Sequence, residues 1–109
     1  MAHGETEVGL SAVTFVELTH GIYRAKTDAD RKRRQSFTDE LCRDVPVHPV
    51  THEVAQLAGK IEGEQAAHGI RIAFEDLLIG SMALHLGYSV ATLNTRHFRL
   101  IPGLSVVQL

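Results

Sequence analysis

Hydrophobic positions are densest between Gly69 and Phe98, which reads GIRIAFEDLLIGSMALHLGYSVATLNTRHF. From Leu77 to Leu86 the residues are apolar on nearly every side of a helix, the pattern of an element buried on most of its faces. The spacing predicts a helix over about Phe74 to Leu86, opening on Glu75 and Asp76 and stopped by Gly87. A β-prone run, Tyr88 to Leu93, follows, with Asn94 and Thr95 in a turn that continues through Phe98. A buried helix thus begins at a carboxylate and a strand ends at an amide. Pro102-Gly103 then leads into a last strand, Leu104 to Gln108.

Upstream the pattern is weaker. Val8 to Val13 is short and β-prone, and Thr14 stands where a helix N-cap is expected. Phe15, Leu18 and Ile22, flanked by Val16 and Tyr23, form a helical stripe to about Ala25, while Glu17, Gly21 and Arg24 share another face. Thr27 and Asp30 give a T-x-x-D start for a second helix through Arg43, whose thin stripe of Phe37 and Leu41 predicts peripheral packing. The segment 45–50, VPVHPV, alternates valines with two prolines and so fits an edge strand. Thr51 caps a further helix carrying Val54, Leu57, Ala58 and Ile61, which runs to about Ala67 before His68 and Gly69 end it.

Strands separated by helices need crossover connections, which give parallel pairing. The expected architecture is α/β, three layers, a parallel sheet flanked by helices. Ligands in such sheets gather at the carboxyl ends of the strands, and Glu17 just past the first strand and Asn94 just past the third belong at that edge.

The 109 residues fit one domain, residues 1–109. No apolar run approaches the ~20 residues that span a bilayer, and MAHGETEVG lacks the order of a signal peptide, so a cytoplasmic protein is expected. Cys42 is the only cysteine, which excludes a disulfide framework and a CxxC metal site and makes a helix filler of that residue. The net charge of −2 argues against a generic nucleic-acid coat, although six of the eleven Lys and Arg residues lie between Arg24 and Arg34. RKRR by itself reads as a solvated helix face.

Each polar candidate has an ordinary explanation. Thr14 to Glu17 is also a T-x-x-E capping box, Glu75 and Asp76 complement a helix dipole, and Asn94-Thr95 suits the cap of a short turn. The seven histidines show no HExxH or Cys/His cluster; His48 and His52 straddle a strand end and a proline, and most read as surface residues. Serine-nucleophile and phosphate-loop patterns are missing from the sequence.

Taken in order, SAVTFVELTHGIYRA, then FEDLLIGSMALHLGYSVATLNTRHF, then IPGLSVV resembles the PIN-domain family, most closely its toxin ribonucleases of the VapC type. Glu17 matches the family's glutamate on the helix after a strand, Asp76 its aspartate before an L-I-A-like run, and Thr92-Leu93-Asn94 its T-x-(D/N) strand end. The resemblance implies Mg²⁺ or Mn²⁺ held by Glu17, Asp76 and Asn94, which would be both metal ligands and catalytic residues, with Thr92 and Arg96 against RNA. It further implies an RNA substrate, a cognate antitoxin and a homodimer. Hard divalent cations take oxygen ligands and keep several waters, so carboxylates and an amide suit that chemistry.

One departure bears on function. The family begins with an apolar central strand ending in Asp, before the segment that matches Val8 to Val13, and no residue here stands for that Asp. The expectation is an N-terminally incomplete domain with exposed inner strand edges. Two functions follow: a metal-dependent endoribonuclease, the toxin of a toxin–antitoxin pair, or a catalytically incomplete remnant that binds an antitoxin or another subunit.

Overall fold

The computed structural model describes residues 8–109. They form two compact units, residues 8–49 and 50–109.

In the first unit, β1 (Leu10–Ser11) leads directly into α1 (Ala12–Tyr23), and α2 (Asp28–Asp44) is followed by β2 (Val47–His48). The first strand is two residues long because Ser11, not Thr14, caps α1: its Oγ accepts the Thr14 backbone N–H at 2.9 Å. Thr14 is the third helical residue, so Glu17 sits in the second turn, beyond reach of the helix start. The expected Thr14–Glu17 capping box does not form. At α2 the T-x-x-D start is as expected, with Thr27 Oγ1 accepting from Asp30 N at 3.1 Å. Thr38 is the buried residue of α2, its hydroxyl donating to the Arg34 carbonyl at 3.0 Å. Phe37, expected on the packed stripe, is 60% exposed; the inward line passes through Thr38 with Leu41 and Cys42 half-buried.

Two arginines of α2 bond carbonyls at and just beyond the end of α1. Arg34 Nη1 donates to Gly21 O at 2.6 Å and Arg31 Nη2 to Ala25 O at 3.4 Å. The last carbonyls of a helix have no intrahelical partner, and a cationic donor there also complements the dipole. β1 and β2 pair in parallel, Leu10 with Val47 and Ser11 with His48, and Leu10 N donates to Pro46 O at 2.9 Å. Pro46 contributes only its carbonyl, as a residue without an N–H must.

The second unit contains α3 (His52–Ala67), α4 (Phe74–Leu86), β3 (Val90–Thr92), α5 (Thr95–Phe98) and β4 (Val106–Gln108). Thr51 caps α3 through Val54 N at 3.2 Å, and the helix buries Val54, Ala58 and Ile61, one face at i, i+4, i+7. Gly87, with φ of 79°, takes the left-handed conformation that ends α4. The core gathers Ala58, Ile61, Ile72, Leu77, Ala83, Val90, Phe98 and Ile101. Ile101 lies against Gly80 of α4 so closely that a Cβ there would overlap its Cδ1. β3 and β4 pair in parallel, Val90 with Val106 through Thr92 with Gln108, and Leu109 N extends the ladder to Thr92 O at 3.0 Å. Parallel pairing is as expected; among the described residues the strands are shorter than expected and pair two by two, β1 with β2 and β3 with β4. Among the described residues no helix is long and apolar enough to cross a membrane.

Candidate active site

Asp76 is the third residue of α4 and Asn94 immediately precedes α5. Leu77, next to Asp76, is 1% exposed, and Phe98, at the end of α5, is 6% exposed, so buried neighbours fix the backbone on both sides of the site. The side chain that joins them is His97. Its Nδ1 lies 3.1 Å from Asp76 Oδ2 and 3.3 Å from Asn94 Nδ2.

An ionised carboxylate only accepts, so the contact to Asp76 is a hydrogen bond when Nδ1 carries the ring proton. That tautomer leaves no lone pair on Nδ1 for an amide N–H. With Nδ1–H given to Asp76, the Asn94 amide nitrogen is a neighbour of the ring rather than its donor, and the amide oxygen is not spent on the ring. The bond that holds the ring is the charge-assisted one to Asp76.

The ordinary explanations fare differently at each position. Glu17 is exposed in the unit of residues 8–49 and makes no capping box. Asn94 occupies the N-cap position of α5, yet its side chain makes no capping hydrogen bond and turns to His97 instead. Asp76 and Glu75 do lie in the first turn of α4, which starts at Ala73 without a side-chain cap, so dipole complementarity holds for both. Asp76 alone of the two also meets a ring nitrogen.

Thr92 Oγ1 accepts the Asn94 backbone N–H at 3.0 Å, which tightens the turn that presents the amide. Arg96 is exposed. His97 is not legible in the sequence as a site residue, because it has no metal-ligand spacing to another histidine or to the cysteine. The usable signal was its place three residues after Asn94, within one helical turn. Among the described residues no group of three or more His, Cys, Asp or Glu side chains is placed to hold a metal ion.

The sequence matches the PIN domain family over residues 2–104, and the chain belongs to that family. It is 31% identical over 98 residues to Ribonuclease VapC of Rickettsia bellii, an alignment spanning 90% of this chain and 73% of that protein. Its fold is similar to that of FitAcB from Neisseria gonorrhoeae, with a TM-score of 0.86, 24% identity and coverage of 94% of this chain and 75% of the other. It is also similar to DNA-bound VapBC from Salmonella typhimurium, with a TM-score of 0.81, 26% identity and coverage of 90% and 72%. The α/β PIN-like fold expected from the sequence is thereby shown.

Proposed function

We propose that the protein is a metal-dependent endoribonuclease, the toxin of a toxin–antitoxin pair. The observation that carries this reading is the convergence of Asp76 and Asn94 on His97, with the capping role of Asn94 removed by the geometry. Relatives named ribonucleases supply the class of reaction.

The donor chemistry fits a hard divalent cation. Asp76 offers a carboxylate with 22% side-chain exposure, and Oδ1 makes no hydrogen bond among the described residues. Asn94 adds an amide oxygen, and Glu17 joins the set on the family resemblance, its carboxylate unspent on capping. So few protein ligands suit Mg²⁺ or Mn²⁺, which retain waters and take substrate phosphate oxygens. When bound, such an ion activates water and stabilises the leaving oxygen. The residues themselves hold and orient: Asp76 and Glu17 supply negative charge, Asn94 a neutral oxygen, and Thr92 the turn geometry behind Asn94. Thr92 and Arg96 are the proposed contacts to RNA, the substrate, and the active form is proposed to be a cytoplasmic homodimer.

An antitoxin partner is supported by the likeness to the VapBC structure from Salmonella typhimurium. Between α1 and α2 a groove of about 540 Å³, lined by Phe15, Ile22, Tyr23 and Cys42 among others, offers an apolar seat for such a segment. The same groove, with the sparse acidic set, favours the second reading, a binding module without catalysis. Incubation of the purified chain with RNA and Mn²⁺, with Asp76→Asn in parallel, separates them. Cleavage by the wild type that Asp76→Asn abolishes supports the nuclease; antitoxin binding without any metal-dependent cleavage supports the module.

A further inference from the structure

The site contains a group for which the metal-and-carboxylate reading has no role. His97 is half-exposed, with 46% of its side chain accessible, so core packing does not account for it. Its neighbours come from separate elements: Asp76 from the first turn of α4 and Asn94 from the turn before α5. Phe98 and Ile101, at 6% and 2% exposure, anchor the segment that carries it, so the ring stands on a fixed base.

We propose that His97 is a positioning residue whose Nδ1–H fixes the Asp76 carboxylate through Oδ2, leaving Oδ1 as the single oxygen for a divalent cation. This rests on the metal-dependent reading above. A carboxylate with one oxygen tied by an N–H donor has lost its free rotation about the terminal torsion, and only its other oxygen remains for ligation. One-oxygen ligation suits the near-octahedral demands of Mg²⁺ or Mn²⁺, where a rotating carboxylate would spread over one- and two-oxygen modes. Groups that hydrogen-bond a ligating side chain commonly contribute 10–100-fold to metal affinity, roughly the scale expected here. His97 touches no reacting atom in this scheme; it acts through Asp76.

The two ring nitrogens make the idea testable by shape. An Asn at position 97 places an amide N–H near the Nδ1 position, whereas a Gln reaches toward the Nε2 position. Mn²⁺ binding to the full chain without RNA, followed by electron paramagnetic resonance of the free ion, gives a readout independent of cleavage. His97→Ala is expected to weaken Mn²⁺ binding by about tenfold, with far-UV circular dichroism and the thermal melt of the metal-free protein unchanged. His97→Asn is expected to restore most of the affinity and His97→Gln to leave it near the Ala level. Wild-type affinity in His97→Ala, or rescue by Gln and not Asn, overturns the proposal; the latter would assign the action to Nε2. Asp76→Asn is the control for the parent reading. If it abolishes Mn²⁺ binding while His97→Ala does not weaken it, only the positioning role fails. If the wild type binds no Mn²⁺, both fail.

Discussion

Ser81 has 0% exposure, and its Oγ has no hydrogen-bond partner among the described residues. A buried hydroxyl without a partner costs about 1–3 kcal/mol of desolvation, and Ala is also the better helix former. Ser81→Ala is therefore expected to raise stability by about 1 kcal/mol, measured by urea unfolding; a clear loss would show that the hydroxyl is bonded. Glu17→Ala sharpens the reading of α1. Because no capping box exists, it should change stability by less than about 0.5 kcal/mol, whereas Ser11→Ala should cost about 1 kcal/mol by removing the actual N-cap. Equal costs for the two would restore the capping role that the geometry denies to Glu17. At this scale the sequence exposed Asp76 and Asn94 because each interrupts or ends an apolar run. His97 interrupts nothing, and its role depends on α4 and α5 approaching each other, a fact of tertiary structure.

Elements whose ends are set by local chemistry were legible. α4 runs from Phe74 to Leu86 as read, since Gly87 stops it, and Thr27 and Thr51 cap α2 and α3 where expected. Strands were legible in position but not in length. Their bounds are decided by the partner: Ser11 leaves β1 to cap a helix, and β3 extends only as far as β4 offers backbone partners. The close approach of α4 to the segment after α5 was equally hidden, and it gives a test at the element scale. Gly80→Ala should gain about 1 kcal/mol of helix propensity. It should nevertheless destabilise on balance, because Ile101 is enclosed and overpacking costs roughly 1–3 kcal/mol. Ile101→Val removes the clashing Cδ1, so the double variant should be more stable than the sum of the singles predicts, by at least about 0.5 kcal/mol in a mutant cycle. Strict additivity would mean that the two positions do not press on each other.

At the scale of the whole molecule, the described residues hold four strands in two parallel pairs, and the outer edge of a two-stranded pair carries backbone donors and acceptors. Exposed apolar side chains accompany them: Leu93, Val107 and Leu109 beside the β3–β4 pair are 77%, 49% and 69% exposed. Unpaired edges with apolar neighbours template further pairing. The chain is expected to associate with rising concentration, checked by light scattering across a dilution series. Replacing Val107 and Leu109 by Lys should shift that association to higher concentration; an invariant monomer at all concentrations would show that the edges are already covered.

The arginines that hold the end of α1 change what the basic run can offer a polyanion. Arg34 is committed to the Gly21 carbonyl, while Arg31 and Arg33 also have Asp28 and Asp30 as neighbours, the latter in a close pair. A cation already matched by a carboxylate neutralises less phosphate charge, so it displaces fewer of the counterions condensed on the nucleic acid, whose release drives binding. RKRR therefore contributes less to a salt titration than its formal charge of four suggests. If Lys32 meets single-stranded RNA, Lys32→Ala should reduce the slope of log affinity against log salt by about 0.7. Removing the pair together, Arg33→Ala with Asp30→Ala, should leave that slope nearly unchanged, since the two charges cancel. The cluster that looks most suited to nucleic acid in the sequence is, for the most part, the molecule's own internal scaffolding.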